Sequence, residues 1–144
     1  MQTTLDLPTG RLIAGDPGRL FGDAKPLDVA LPAGRHPVSV GAGRVELRIG
    51  AGEPERWCAA PGFATPSGYG CLLDAAALGG FTDLGDEPTD EYELLTERLA
   101  ESPGDPLEYR GLLVFPAAGP VLRILTGYDR SGAVCRIAAQ MQAS

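Results

Sequence analysis

The feature that most restricts this fold is a series of short runs in which apolar and polar residues alternate. Glycine or proline interrupts these runs every few positions. The run RVELRI places Val45, Leu47 and Ile49 at every second position, with a charged residue beside each. A period of two is typical of a strand that has one face buried. The preceding run HPVSV is joined to it by GAG, so the two runs predict a β-hairpin.

The same reasoning predicts further strands in RLIAGDP, RWCAA, GLLVF, PVLRILTGY and AVCRIAAQM. In RWCAA, Trp57 is the expected anchor of the core, since aromatic side chains bury the largest apolar area. In PVLRILTGY, Leu122, Ile124 and Thr126 are expected to share one face. The junction YDRSGAV is typical of a tight turn with a glycine in the left-handed conformation.

One segment has the pattern of a helix, from Thr89 to Ser102. Thr89 or Asp90 can cap it, acidic residues occupy its first turn, and the apolar stripe is Tyr92, Leu95 and Leu99. A second, shorter helix is expected at Asp74 to Leu78. The expected fold class is therefore α+β: a predominantly antiparallel β-sheet, sandwich-like or curved, with one main helix and one short helix. We expect a single domain over residues 1–144.

Several motifs resemble, in their order, those of one group of bacterial proteins. They are TGRLIAGDP, LPAGRHPV, ERW, GYGCLLDAAAL and GYDRSGAVC. Over about Leu7 to Ile137 the chain resembles the uncharacterised bacterial family catalogued as domain of unknown function 4241. The family usually carries acidic residues where this chain has Cys58 and Pro66, so an acid-dependent activity of the family would be lost here. The resemblance implies a fold and no established reaction.

The charge of the chain is concentrated in one region. The net charge is −7, but residues Asp83 to Glu108, called here the acidic segment, contain ten acidic residues and one base, Arg98. This balance disfavours nucleic acid, which requires clustered lysine and arginine, and suits a basic protein partner. Glu91, Glu97 and Glu101 are the expected partner-binding residues. The alternative is that these charges only keep one face solvated.

The location in the cell is predicted from three features. The start MQTTLDLPTG has neither the basic nor the apolar region of a signal peptide, and no stretch approaches the length of a membrane span. Three cysteines without zinc-site spacing indicate reduced thiols. We therefore expect a cytoplasmic protein that does not bind a membrane; the oligomeric state does not follow from the sequence.

Cys71 raises the question of a catalytic thiol, because it follows a Gly-Tyr-Gly turn directly. A nucleophilic cysteine requires a lowered pKa and a histidine base, and His36 is the single histidine in the chain. The run Cys71-Leu72-Leu73 is instead typical of a buried strand end. Asp74 is expected to cap the short helix and Asp16 to begin a turn. Asp16, Asp74 and Cys71 remain the candidate polar site.

The sequence contains no recognisable set of metal ligands, no phosphate-binding loop and no serine elbow. No metal or cofactor is therefore expected. The expected function is that of a non-enzymatic binding protein that acts through protein–protein contact, such as an immunity or antitoxin-like protein against a basic bacterial toxin. One alternative is a small hydrolase or transferase with Cys71 and carboxylates in a cleft. Another is a small-molecule sensor.

Overall fold

The computed structural model describes residues 2–16, 26–41, 43–59, 62–65, 68–77, 97–101, 105–109, 111–117 and 121–142. Within them lie twelve strands: β1 (Gln2–Leu7), β2 (Arg11–Gly15), β3 (Pro26–Ala30), β4 (Gly34–Gly41), β5 (Arg44–Arg48), β6 (Arg56–Ala59), β7 (Phe63–Ala64), β8 (Tyr69–Asp74), β9 (Leu107–Tyr109), β10 (Leu112–Pro116), β11 (Val121–Tyr128) and β12 (Val134–Gln142). Every pairing among them is antiparallel. The prediction of a predominantly antiparallel β structure is therefore confirmed.

Seven strands form the large sheet, in the order β1-β4-β5-β12-β11-β6, with β7 also paired to β11. The predicted hairpin is confirmed: Val40 of β4 lies opposite Val45 of β5, and Gly43 between the strands has φ 77°. The turn between β11 and β12 is confirmed as well, since Gly132 has φ 86°. β12, the last of the described strands, lies inside the sheet between β5 and β11.

Five strands form the small sheet, in the order β3-β2-β8-β10-β9. Its central strands, YGCLLD in β8 and LLVFP in β10, are apolar over most of their length. Continuous apolar runs of this length fit strands that are buried on both faces. In β8 the residues from Gly70 to Asp74 are all buried.

One buried cluster, called here the inner cluster, contains side chains of both sheets. Its members are Leu5, Leu7, Leu12, Leu31, Val38, Val45, Leu47, Leu72, Leu113, Phe115, Leu122, Ile124, Ile137 and Ala139. The two sheets therefore share one core. We call the face of each sheet that contacts this cluster the inner face of that sheet, and the opposite face its outer face. Gly70 permits the close approach, because a Cβ there would lie 2.9 Å from the Phe115 ring and 2.8 Å from Leu122 Cδ2.

A second buried cluster, called here the outer cluster, covers the opposite face of the small sheet. Its members are Ile13, Cys71, Leu73, Leu99, Leu112 and Val114. Leu99 belongs to the helical residues 97–101, so this turn of helix packs on the outer face of the small sheet. The expected burial of Leu99 is confirmed, with 5% of the residue exposed.

The helices are shorter in the described residues than the sequence predicted. Residues 97–101 are helical, whereas the predicted start at Thr89 and the stripe residues Tyr92 and Leu95 lie outside the described residues. The prediction of one main helix is therefore not borne out. The helical turn at residues 97–101 is held by Leu99, which is buried against the small sheet. The shorter predicted helix is observed at residues 75–77, directly after Asp74, and Leu78 lies outside the described part.

The prediction that Trp57 anchors the core is wrong. RWCAA does form a strand, β6. However, β6 is an edge strand of the large sheet, and all four of its residues are exposed. Trp57 pairs with Gly127, and 37% of the tryptophan is exposed. The large sheet has its core on the inner face alone, and the register places Trp57 on the other face.

Candidate functional site

Cys71 lies in the middle of the small sheet and is fully buried in the outer cluster. Burial raises the pKa of its thiol far above the ordinary value, and the nearby negative charge of Asp16 raises this pKa further. A backbone hydrogen bond at Gly15 acts in the opposite direction but is the smallest of the three causes. The thiol is therefore neutral at physiological pH, as a buried structural cysteine is.

The single histidine lies on a different sheet from this thiol. His36 is in β4, directly opposite Leu5 of β1, so both side chains point to the inner face of the large sheet. The His36 Nε2 atom lies 2.8 Å from the carbonyl oxygen of Pro32. Cys71 faces the outer cluster, on the far side of the small sheet. The small sheet therefore separates the imidazole from the thiol, and the two do not form a nucleophile–base pair.

Asp74 has the capping role that the sequence predicted, together with a second role that it did not. One carboxylate oxygen, Oδ2, accepts a hydrogen bond from the Ala76 backbone N–H at 2.8 Å. The other, Oδ1, accepts one from the Thr9 backbone N–H at 3.1 Å, and the Thr9 hydroxyl lies 2.8 Å from both oxygens. This buried carboxylate therefore joins the end of β8 to the loop between β1 and β2.

The three residues of the candidate polar site do not meet in one cleft. Asp16 follows β2, whose Gly15 pairs with Cys71, and Asp16 is 3% exposed. Asp74 pairs with Leu12 of the inner cluster, whereas Cys71 belongs to the outer cluster. Because alternate residues of β8 point to opposite faces, Asp74 and Cys71 are on opposite sides of the small sheet.

The expected partner-binding residues are described in part. Glu97 and Glu101 are exposed on the helical turn of residues 97–101, and Glu91 lies outside the described residues. Residues four apart lie on the same side of a helix, so the two carboxylates form one exposed acidic edge. Leu99, between them in sequence, points to the small sheet and holds this edge in place.

The outer face of the large sheet carries a charged network that is centred on arginine. Arg44 Nε lies 3.3 Å from Glu46 Oε2, and Arg44 Nη1 donates a hydrogen bond to Gln140 Oε1 at 2.9 Å. The guanidinium carbon of Arg44 also lies 4.9 Å from the centre of the Trp57 ring. This contact is a cation–π interaction, which fixes the exposed indole over the sheet.

Arg136 is the buried member of the network, with 5% of the residue exposed. Its Nη1 atom contacts the carbonyl oxygens of Gly50, Gly52 and Cys135 at 3.1, 3.0 and 2.9 Å. Its Nε atom lies 3.3 Å from Glu46 Oε1. A buried guanidinium needs this many partners to offset its lost hydration. Arg136 therefore fixes the loop after β5 against the sheet.

Sequence reasoning predicted the charged side of β5 but missed the network that this side joins. The alternation in RVELRI puts Arg44, Glu46 and Arg48 on one face, as observed. Nothing local to that run indicates that β12 lies beside it with Arg136 opposite Arg48. The one local signal for this network is in β12 itself. Arg136 lies between the apolar Cys135 and Ile137, both buried, and this alternation places Arg136 on the opposite face from them.

Within the described residues, no three acidic, histidine or cysteine side chains come together as metal ligands would. The helical segments in the described part of the chain are all too short or too polar to cross a membrane. No family model, no curated protein and no solved structure matches this chain.

Proposed function

We propose that this chain is a non-enzymatic binding protein that acts through protein–protein contact, with the acidic segment as the surface that meets a basic partner. The observation that carries this proposal is the exposed acidic edge formed by Glu97 and Glu101. Both carboxylates belong to a turn that the buried Leu99 attaches to the small sheet. The charges are therefore held on the folded domain.

The electrostatics suit a partner of opposite charge. The acidic segment holds ten of the 19 acidic residues of a chain with net charge −7. A concentrated field of one sign raises the rate at which an oppositely charged protein is encountered, and it does so most at low ionic strength. An immunity or antitoxin-like protein that covers a basic toxin would use a surface of this kind. We propose that role, and membership of the family that the motifs resemble.

We also propose a cytoplasmic location for this protein. Cys58, Cys71 and Cys135 are all free thiols. Disulfide-free chains with several cysteines are typical of reducing compartments.

The alternative of a small hydrolase or transferase that uses Cys71 has less support. The thiol is buried, its pKa is raised, and the small sheet lies between it and His36. A nucleophilic cysteine requires the opposite: access to substrate, a lowered pKa and an adjacent base.

The test is a comparison of two variants that lose charge at different surfaces. The first replaces Glu91, Glu97 and Glu101 with glutamine. The second, D6N/E55Q, removes two exposed carboxylates of the large-sheet side. Each protein is immobilised and exposed to native bacterial lysate, and the retained proteins are identified by mass spectrometry. Association rates of a purified retained protein are then measured at several ionic strengths.

The proposal expects a basic protein that the wild type and D6N/E55Q retain and that the glutamine triple variant retains poorly. Its association rate with the triple variant should fall severalfold at low salt, with a flatter salt dependence, because steering charges act mainly on association. Equal association rates for the wild type and the triple variant, with both folded, would show that the acidic segment is only a solvated face.

A further inference from the structure

We propose that Arg48 and Arg136 form a binding site for an oxyanion, the phosphate or carboxylate group of a small ligand, on the outer face of the large sheet. The site is on the large sheet, whereas the described parts of the acidic segment, residues 97–101 and 105–108, lie with the small sheet. The proposal does not depend on the partner contact proposed above. It is formed by neighbouring strands, β5 and β12, that the sheet holds side by side.

The first observation is the direct apposition of two like charges. Arg48 and Arg136 are paired across β5 and β12, and both side chains are on the outer face. Like charges directly opposite one another destabilise an antiparallel pair unless an anion lies between them. Both guanidinium groups reach the carboxylate of Glu53, so they are close enough to share one anion.

The second observation is a carboxylate already between the two groups. Glu53 Oε1 lies 3.9 Å from Arg48 Nη2 and 3.6 Å from Arg136 Nη2. Both distances exceed those of a charge-assisted hydrogen bond, and the Glu53 side chain is 80% exposed on its loop. Glu53 is therefore a weakly held internal anion that a ligand oxyanion can replace.

The third observation is a groove that borders both arginines. It has a volume of about 300 Å³ and is lined by Gln2, Pro37, Val38, Ser39, Glu46, Arg48 and Arg136. This volume is at the lower end of the range for small-molecule sites, so it suits a small ligand. The groove extends from the arginine pair toward β4 and β1, which supply its polar neutral side chains.

The two arginines differ in burial and in the number of groups that hold them. Arg136 is nearly buried, and its Nε and Nη1 atoms are fixed by Glu46 and by three carbonyl groups. Its remaining terminal nitrogen, Nη2, points to the Glu53 carboxylate. Arg48 is 54% exposed in its side chain and can adjust to the ligand. Arg136 therefore orients the ligand without losing further side-chain freedom, whereas Arg48 supplies a second donor group whose ordering costs entropy.

The chemistry of the lining selects the ligand class. Guanidinium groups match the planar or tetrahedral oxygen arrangement of carboxylate and phosphate better than a point charge does. Glu46, which also lines the groove, disfavours a second negative group beside the first. The expected ligand therefore has one anionic group and, next to it, a group that donates a hydrogen bond to the Glu46 carboxylate.

The experiment is a calorimetric titration with inorganic phosphate and, separately, with acetate, at constant ionic strength. The test variants are R48Q and E53Q. The chain offers a control pair, because Arg130 and Glu55 form another exposed ion pair, also 3.9 Å long, whose residues do not line the groove. R130Q and E55Q therefore make the same charge changes outside the site. Arg136 is left intact because it supports the fold.

The proposal expects E53Q to bind phosphate or acetate about three- to fivefold more tightly than the wild type, since the internal competitor is removed. R48Q should bind about three- to fivefold more weakly, and R130Q and E55Q should match the wild type within about twofold. Saturable binding of either anion with this pattern supports the site, and the preferred anion shows whether phosphate or carboxylate is recognised.

Two results would overturn the proposal. One is no saturable binding of either anion by E53Q, whose melting temperature confirms that it is folded. The other is equal affinity in R48Q and R130Q, which would mean that the anions respond only to net charge. Neither result bears on the acidic segment, so the two proposals fail independently.

Discussion

At the scale of single residues, burial decides what each of the three thiols can do. Cys58 is exposed on β6, whereas Cys71 and Cys135 are fully buried. The Cys135 Sγ atom lies 3.6 Å from the carbonyl oxygen of Gly127, and Cys71 packs in the outer cluster. The three side chains are chemically identical, and only their positions in the two sheets distinguish them.

Cys58 is therefore predicted to react much faster than Cys71 and Cys135 with a thiol reagent in the native protein. Reaction requires an accessible thiolate, and burial removes both the access and the charge. Timed labelling followed by mass spectrometry of the peptides measures the three rates. A chain unfolded in denaturant is the control, where all three should react alike. Fast native labelling of Cys71 would contradict its burial.

The raised pKa of Cys71 also predicts a pH dependence of stability. Below about pH 8.5 the thiol is protonated in both the folded and the unfolded chain. Above that pH the unfolded chain loses the proton and the folded chain keeps it, so folding becomes less favourable by up to about 1.4 kcal/mol per pH unit. The stability advantage of the wild type over Cys71→Ala should therefore shrink from pH 8.5 upward in urea unfolding. A constant difference up to pH 10 would contradict the raised pKa.

At the scale of elements, β6 shows how an edge strand can expose a large apolar residue, Trp57, that the sequence predicted to be buried. The Trp57 ring lies over Gly127, where an added Cβ would be 3.0 Å from Trp57 Cζ3 and 3.1 Å from Pro54 Cβ. The Arg44 guanidinium lies against the same ring at 4.9 Å. Glycine at 127 thus provides the space in which the indole lies on the sheet.

Trp57→Ala is predicted to lower the free energy of unfolding by about 1–2 kcal/mol, less than the 3–5 kcal/mol of a core tryptophan. The reason is that the ring is partly exposed, so its removal eliminates fewer contacts than the removal of a buried ring would. Gly127→Ala should displace the ring, and its cost should be smaller when Trp57 is already alanine. A double-mutant cycle by urea unfolding measures this coupling. A loss of 3 kcal/mol or more from Trp57→Ala would mean that the indole is part of the core after all.

At the scale of the whole molecule, the small sheet is buried on both faces and connects the rest. The inner cluster joins it to the large sheet, and the outer cluster joins it to the turn that carries Glu97 and Glu101. Phe115 is fully buried in the inner cluster, and Leu99 is buried in the outer one. Loss of the inner cluster should therefore affect both sheets together.

Phe115→Ala is predicted to destabilise the protein by about 3–5 kcal/mol, a large part of the stability that folded proteins have. Two probes should report one transition, because the sheets share their core. Trp57 fluorescence follows the large sheet, and thiol labelling of Cys71 follows the small sheet. Coincident urea midpoints are expected for the wild type and for the variant. Separate midpoints would show that the sheets unfold independently.

Local patterns in the sequence were enough to predict several elements of this fold. The alternation in β5, the hairpin with β4, the left-handed Gly132 and the burial of Cys71 and Leu99 all depend on neighbours within a few residues. Four strands were missed, namely β1, β3, β7 and β9. In β1 the buried Leu5 and Leu7 are two residues apart, so a signal was present there. β7 and β9 are two and three residues long, too short to show a period.

The sequence by itself determined which residues form strands with one apolar side. Only the tertiary structure decided which strands lie next to one another. The order β1-β4-β5-β12-β11-β6 brings Arg136 opposite Arg48 although 88 positions separate them, and it leaves Trp57 on an exposed edge. The physical reason is that alternation is imposed by the geometry of one strand, whereas register and order depend on burying all strands in a common core. The oxyanion site and the separation of Cys71 from His36 both result from that second step.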